Sequence, residues 1–86
     1  MSKEYKNNNI YVRVSERDKD IYFKDLTDVW NDTSAYTTKK RSFKKASEYI
    51  DYMFSTELKE ELKFKHIREV LNTKFNMSVH TYCAMD

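Results

Sequence analysis

The residues best suited to chemistry in this chain form one short cationic stretch next to aromatic side chains. Five cations fall within seven residues, here called the basic cluster: Lys39, Lys40, Arg41, Lys44 and Lys45. Residues 36–54 carry five Lys or Arg against two Asp or Glu, whereas the segments on either side are within one charge of neutral. Such a concentration attracts phosphates or an acidic protein over about a Debye length, roughly 8 Å at physiological salt. The sequence therefore predicts either a site for an anionic partner or a charged surface that only faces solvent.

Aromatic residues lie close to these cations in the sequence. Single-stranded nucleic acids are bound by this combination, because bases stack on rings at roughly 1–3 kcal/mol while cations follow the backbone. Phe43 has the spacing of a buried helical residue, so the candidate stacking residues are Tyr36, Tyr49 and Tyr52. Candidates for a wider positive surface are Lys63, Lys65 and Arg68. The sequence shows no signature of an RRM, KH, zinc-finger or basic-zipper domain, so base-specific recognition is not predicted.

Other kinds of site have little support in the sequence. The chain contains no Gly and no Pro, which excludes the glycine loops of nucleotide-binding motifs and nucleophile elbows. His66, His80 and Cys83 lack the paired spacing of zinc ligands, and Asp18 with Asp20 lacks the Gly and Glu of a calcium loop. In a strand, an offset of three residues separates His80 and Cys83 onto opposite faces. We therefore expect a non-enzymatic binding protein without metal or cofactor.

Residues 16–32 form an acidic region, with six Asp or Glu against three Lys or Arg. Solvent-exposed turns account for such a region. Alternatively, it meets the basic cluster of a second copy and produces a homo-oligomer, or it meets a basic host protein.

The sequence also predicts a cytoplasmic protein. It has no run of roughly 18 apolar residues, and its first residues lack the apolar stretch of a signal peptide. A single cysteine, Cys83, is typical of a reducing compartment. No membrane contact is expected.

The elements that must hold the basic cluster follow from the periodicity of apolar residues. Residues 1–8 are polar and are predicted to be flexible, and residues 9–86 are predicted to form a single domain. Alternation predicts a strand over residues 10–15, and residues 21–26 are predicted to pair with it as a hairpin. The Thr and Tyr residues of 33–38 favour a third strand. A helix follows with Ser42 as its N-cap and a buried face of Phe43, Ala46, Ile50 and Met53. This start places Lys44 and Lys45 in the first turn, where the helix dipole disfavours cations by about 0.3–1 kcal/mol unless an anion binds there.

A second helix is predicted to begin at an N-cap of Ser55 or Thr56. Its apolar residues do not share one face: Phe64, Ile67 and Leu71 align, whereas Leu58 and Leu62 do not. The helix therefore either bends near Leu62 or buries a broad face. Alternation from residue 77 to residue 85 predicts a closing strand. The order β-β-β-α-α-β predicts an α+β fold, with a mostly antiparallel sheet of three to four strands packed on two helices.

Without glycine, the turns of this chain must use other residues for positive φ angles. Asn and Asp tolerate the left-handed region better than other residues that carry a side chain. The candidates are Asn7, Asn8, Asn9, Asp18, Asp20, Asn31, Asp32, Asn72 and Asn76.

A chain of 86 residues without Gly, rich in Lys and Tyr and carrying the segment TTKKRSFKK, resembles the small early proteins of T-even phages that disarm host defences. Within that group it is similar in size and basic character to the TifA type of toxin inhibitor. The resemblance rests on composition and not on a motif. It implies stoichiometric inhibition of the endoribonuclease toxin of a type III toxin-antitoxin system in the host cytoplasm, with the basic cluster gripping RNA while another surface meets the toxin. The alternative is a protein-only interaction module that inhibits or regulates a host factor without nucleic acid.

Overall fold

The computed structural model describes residues 2–27, 31–56 and 61–83, and across these residues the chain forms a five-stranded antiparallel sheet and two helices. The strands are β1 (Ser2–Lys6), β2 (Ile10–Ser15), β3 (Asp20–Asp25), β4 (Asn31–Tyr36) and β5 (Ser78–Cys83). The helices are α1 (Lys40–Ser55) and α2 (Phe64–Thr73), both between β4 and β5. The strands lie side by side in chain order. The predicted α+β class is confirmed, with the order β-β-β-β-α-α-β.

The core lies between one face of the sheet and the two helices. Alternation in β2 buries Ile10, Val12 and Val14, and the register places Phe23 of β3 beside Val12. The remaining core residues come from β3, β4, both helices and their flanking segments: Ile21, Ala35, Phe43, Ala46, Ile50, Leu62, Ile67, Leu71 and Met77. Because both helices pack on this covered face, the side chains between the buried ones point to the other side of the sheet, here called the open face.

The first strand was not predicted, because residues 1–8 were expected to be flexible. Ser2–Lys6 instead forms an edge strand that pairs with β2 from Ser15 to Tyr11. Its anchor is Tyr5, whose ring lies 5.3 Å from that of Phe54 and whose hydroxyl donates a 3.0 Å hydrogen bond to Asp51. Tyr5 is also the only residue of this strand that is partly buried. Backbone pairing and one aromatic anchor therefore order a strand that has no apolar alternation.

The turns of the sheet are built without glycine. Asn7 Oδ1 accepts hydrogen bonds from the N–H groups of Asn9 and Ile10, and closes the turn between β1 and β2. Asn76 has φ of 52°, which agrees with its place among the candidates for positive φ. Lys19 has φ of 53° in the turn between β2 and β3, although it was not a candidate. For a residue other than Gly, that conformation costs about 1–2 kcal/mol.

Helix α1 begins three residues earlier than predicted. Its N-cap is Lys39 and not Ser42, since the N–H of Phe43 donates a 3.0 Å bond to the Lys39 carbonyl and closes the first turn. The first turn therefore contains Lys40 and Arg41, and the prediction that it contains Lys44 and Lys45 was wrong.

Helix α2 begins later than predicted. Ser55 is the last residue of α1, where its hydroxyl donates to the Asp51 carbonyl, and it does not cap α2. The N-cap of α2 is Lys63, with an extended backbone at φ −123° and ψ 159°. Leu62 is buried in the segment before the helix, so its mismatch with the helical face requires neither a bend nor a broad buried face. The predicted positions of Leu58 and of residues 84 and 85 lie outside the described residues.

Candidate nucleic-acid interface

The basic cluster is held together on the outer side of α1, at one end of the sheet. Helix α1 follows β4 after three residues, so it starts beside Tyr36, which pairs with Asp20 and Ser78 in the register. Burial of the face of α1 that carries Phe43 and Ala46 turns the intervening residues outward. Four of the predicted cations line one open hollow with Glu48: Lys40, Arg41, Lys44 and Lys45. The fifth, Lys39, is the exposed N-cap of the same helix.

The start of α1 is electrostatically unusual for a helix. Its first turn contains no acidic residue, and the side chain of the N-cap Lys39 makes no capping hydrogen bond to the N–H groups of that turn. The first N–H groups of a helix have no carbonyl partner within it and form the positive end of the dipole. Lys40 and Arg41 add positive charge at that end, which costs about 0.3–1 kcal/mol each. An anion placed here meets both the free N–H groups and the side chains.

The three candidate tyrosines lie in three different environments. Tyr52 is 64% exposed on α1, beside the basic cluster, and Tyr36 is 45% exposed on the open face at the end of β4. Tyr49 lies on the side of α1 that packs inward, with its ring 5.6 Å from that of Phe75. Its hydroxyl is buried, and burial raises its pKa. Tyr49 is therefore part of the packed interior, whereas Tyr36 and Tyr52 offer accessible rings.

A groove of about 680 Å³ extends the basic cluster from α1 toward β1. Lys40 and Lys44 line it together with Lys3 of β1 and Lys19 of the β2–β3 turn. The carboxylates of the groove are Glu16, Glu48 and Asp51. Sequence reasoning missed Lys3 and Lys19 because both are distant from α1 in the sequence and reach it only through the folding of the sheet. One acidic residue of the acidic region, Glu16, therefore lies in the same groove as two cations of the basic cluster.

Two residues that line the groove, Tyr5 and Asp51, are joined by the hydrogen bond from the Tyr5 hydroxyl. Burial, the hydrogen bond to Asp51 and the charge of Asp51, in that order, raise the pKa of Tyr5 to about 12. The Tyr5 ring therefore stays neutral over the physiological range and joins β1 to α1.

The expected extension of the positive surface by α2 is not found. Lys63, Lys65 and Arg68 line a separate hollow with Asn9 and Asp25. Asp25 ends β3, whereas the start of β3, at Asp20, lies beside the basic cluster. The two groups of cations are therefore at opposite ends of the sheet.

Apart from Tyr36, the side chains of the open face were given no function by sequence reasoning. Tyr11, Arg13 and Tyr22 lie there because they alternate with buried residues of β2 and β3, and His80 lies there on β5. Alternation alone could have placed Tyr11 and Arg13 on one face, but their neighbours on β3 to β5 depend on the register.

No cluster of three or more His, Cys, Asp or Glu suitable for a metal ion occurs in the part of the chain that the structure describes. Nor do residues 2–27, 31–56 and 61–83 contain a helix with the length and apolar character needed to cross a bilayer. Comparison of the chain with models of protein families, with curated protein sequences and with solved structures finds no match.

Proposed function

We propose that this protein is a non-enzymatic RNA-binding protein that holds single-stranded RNA through the basic cluster. The observation that carries the proposal is the start of α1, where Lys40 and Arg41 stand at the positive end of the helix dipole without an acidic residue in the first turn. A bound phosphate relieves this unfavourable placement and receives hydrogen bonds from the free N–H groups. Exposed Tyr52, on the same helix, offers a stacking surface beside the cations.

The biological role that we propose follows the resemblance to the phage toxin inhibitors. In that role the protein binds a host endoribonuclease toxin stoichiometrically in the host cytoplasm, and RNA held on the basic cluster takes part in the complex. Choosing RNA over DNA rests on this resemblance, because cations on a helix contact the phosphates of either.

A second candidate is a protein-only interaction module. The groove between α1 and β1 supports this candidate, because its lysines are interleaved with Glu16, Glu48 and Asp51. A surface of mixed charge suits a protein partner of mixed charge better than a continuous polyanion.

The proposal is tested by titrating a short, unstructured, fluorescently labelled RNA with the protein between about 50 and 200 mM salt. If all five cations engage phosphates, the slope of log affinity against log salt is about −3.5, from −0.7 for each phosphate on a single strand. Changing Lys39, Lys40 and Arg41 together to Glu should reduce the slope to about −1.4.

The chain offers a matched control at the opposite end of the sheet. Changing Lys63, Lys65 and Arg68 together to Glu alters the net charge by the same amount and should leave the slope near the wild-type value. An equal loss in the two triple variants would mean that net charge, and not the basic cluster, attracts RNA, and would overturn the proposal.

Purification from cells with and without ribonuclease separates the two candidate functions. RNA that copurifies with the wild type and is lost in the Lys39, Lys40 and Arg41 variant supports RNA binding. A protein complex that survives ribonuclease and is unchanged in that variant supports the protein-only module.

A further inference from the structure

The open face of the sheet carries a diagonal row of tyrosines. In the register, Arg13 lies opposite Tyr22, Tyr22 opposite Ser34, and Asp20 opposite Tyr36. Tyr11, Tyr22 and Tyr36 therefore lie on β2, β3 and β4 in turn, each displaced from the last by one strand and two residues. Strand spacing and residue rise make each step about 8 Å. The row crosses the sheet from one end to the other.

Contacts with neighbouring side chains hold these rings in place. The rings of Tyr11 and Tyr22 meet edge to face, with centroids 6.2 Å apart and planes at 66°. The Arg13 guanidinium carbon lies 5.0 Å from the centre of the Tyr22 ring. The Tyr36 ring stacks on His80 at 5.5 Å with planes only 6° apart, and its hydroxyl lies 3.1 Å from His80 Nε2. Rings that are already ordered lose little conformational entropy when a ligand stacks on them.

The other side chains of this face are polar. Those that the structure describes are Ser2, Glu4, Lys6, Arg13, Ser15, Asp20, Lys24, Asp32, Ser34, Ser78 and His80. The described part of the face therefore has three Lys or Arg against three Asp or Glu and no aliphatic side chain. It lacks the aliphatic centre that buries area in a protein interface, and its balanced charge does not attract phosphate. Its aromatic and guanidinium planes are the chemistry that stacks unpaired bases.

The diagonal leads directly to the basic cluster. Tyr36 is its last member, and Lys39 follows three residues later, so their Cα atoms are at most about 11 Å apart. A single strand that crosses the open face therefore reaches the start of α1 at the end of the sheet. Charge on the cluster and rings on the face are then complementary parts of one binding surface.

We propose that the open face is the base-stacking platform for the single-stranded RNA that the basic cluster holds. Unpaired bases stack on the diagonal of Tyr11, Tyr22 and Tyr36, and the strand continues around the end of the sheet, where its phosphates meet the cluster. RRM domains bind RNA with the same layout, in which bases stack on aromatic residues of a sheet, although this chain has no RRM signature. The inference rests on the proposed function and adds the surface that recognises the bases.

The test compares two ligands and two variants by fluorescence titration. The ligands are a short adenosine RNA and an abasic strand with the same number of phosphates. One variant changes Tyr11, Tyr22 and Tyr36 to Leu, and its matched control changes the same residues to Phe. The Leu variant should bind the RNA roughly 5- to 150-fold more weakly for each base that loses its stacking partner, with an unchanged salt slope. The Phe variant keeps the rings and should bind like the wild type.

The abasic strand separates this inference from the proposed function. The wild type should bind it at least as weakly as the Leu variant binds RNA, because an abasic strand also loses any stacking on Tyr52. If the wild type binds both ligands equally, the platform is refuted while the basic cluster keeps its function. If neither ligand shows salt-dependent binding, the proposed function itself fails. The ligand comparison uses the unaltered protein, so it decides the question even if the Leu variant does not fold.

Sedimentation of the same proteins tests whether the open face binds a second copy of the chain instead of RNA. Self-association of the wild type that disappears in the Leu variant, with RNA affinity unchanged, would assign the open face to a second copy of the chain and overturn the inference.

Discussion

Replacing Asn7 tests how a chain without glycine builds its first turn. Asn7 Oδ1 accepts hydrogen bonds from the N–H groups of Asn9 at 2.6 Å and Ile10 at 2.8 Å. Its Nδ2 donates to the Leu62 carbonyl at 3.1 Å, which joins the β1–β2 turn to the segment before α2. One side chain therefore connects two distant parts of the fold.

The expected loss in the free energy of unfolding follows from the number of hydrogen bonds that each Asn7 variant removes. Each contributes about 1 kcal/mol net, so Asn7→Ala should lower the free energy of unfolding by about 3 kcal/mol. In a domain of this size, 1 kcal/mol shifts the melting temperature by about 4–8 °C, which gives a fall of about 12–24 °C. Asn7→Asp keeps the acceptor oxygen and loses only the donor to Leu62. It should cost about 1 kcal/mol, or about 4–8 °C.

Urea unfolding monitored by circular dichroism measures both variants on one scale. The Ala variant should lose clearly more stability than the Asp variant. Equal losses in the two would mean that the two bonds within the turn contribute nothing. A loss below about 0.5 kcal/mol in the Ala variant would refute the whole account of this turn.

Three further predictions concern a titration, the core and a strained turn. The pKa of Tyr5 is raised from 10.0 to about 12, so its contribution to stability is complete below pH 10 and is lost between pH 10 and 12; urea midpoints across this range should fall less in Tyr5→Phe than in the wild type. Ile50 is fully buried, so Ile50→Ala should lower the free energy of unfolding by about 2–5 kcal/mol in urea, and a loss below about 1 kcal/mol would contradict its place in the core. Lys19→Asn should raise the melting temperature by a few degrees, because Asn tolerates the φ of 53° better than Lys; Arg17→Asn, in the same turn, should give no such gain.

Strand β2 and the buried face of α1 were predictable because apolar residues recur there without interruption. Every second residue of Ile10–Ser15 is aliphatic, and the predicted bounds of this strand match the structure. The start of α1 was not predictable from capping preference. Ser42 is the better capping residue, but the chain leaves β4 at Tyr36 and enters the helix at Lys39 without a side-chain cap. The position at which β4 ends therefore decided where α1 begins, although a Ser N-cap stabilises a helix by about 1 kcal/mol.

In the candidate site, too, features set by neighbouring residues were predictable, and features set by residues distant in the sequence were not. The basic cluster was predictable because its residues are adjacent in the sequence and only needed a helix to display four of them on one surface. Burial of Tyr49 could have been predicted, because it lies three residues after Ala46 and four before Met53 on the buried face of the helix. Its neighbour Phe75, which follows α2 and lies 26 positions later, could not. The groove lysines and the diagonal of tyrosines depend on strand register, which alternation within a single strand does not reveal.

The order of the strands also matters while the chain is being synthesised. Strands β1 to β4 are complete at Tyr36, before either helix has been made, and they can pair as successive hairpins. The covered face of that nascent sheet, with Val12 and Phe23, has no helix over it until α1 is complete at Ser55, and it lacks the second helix until translation reaches Thr73. Exposed apolar surface of this kind recruits chaperones or aggregates. A ribosome that stalls between β4 and α1 therefore leaves a sheet whose apolar face no helix covers.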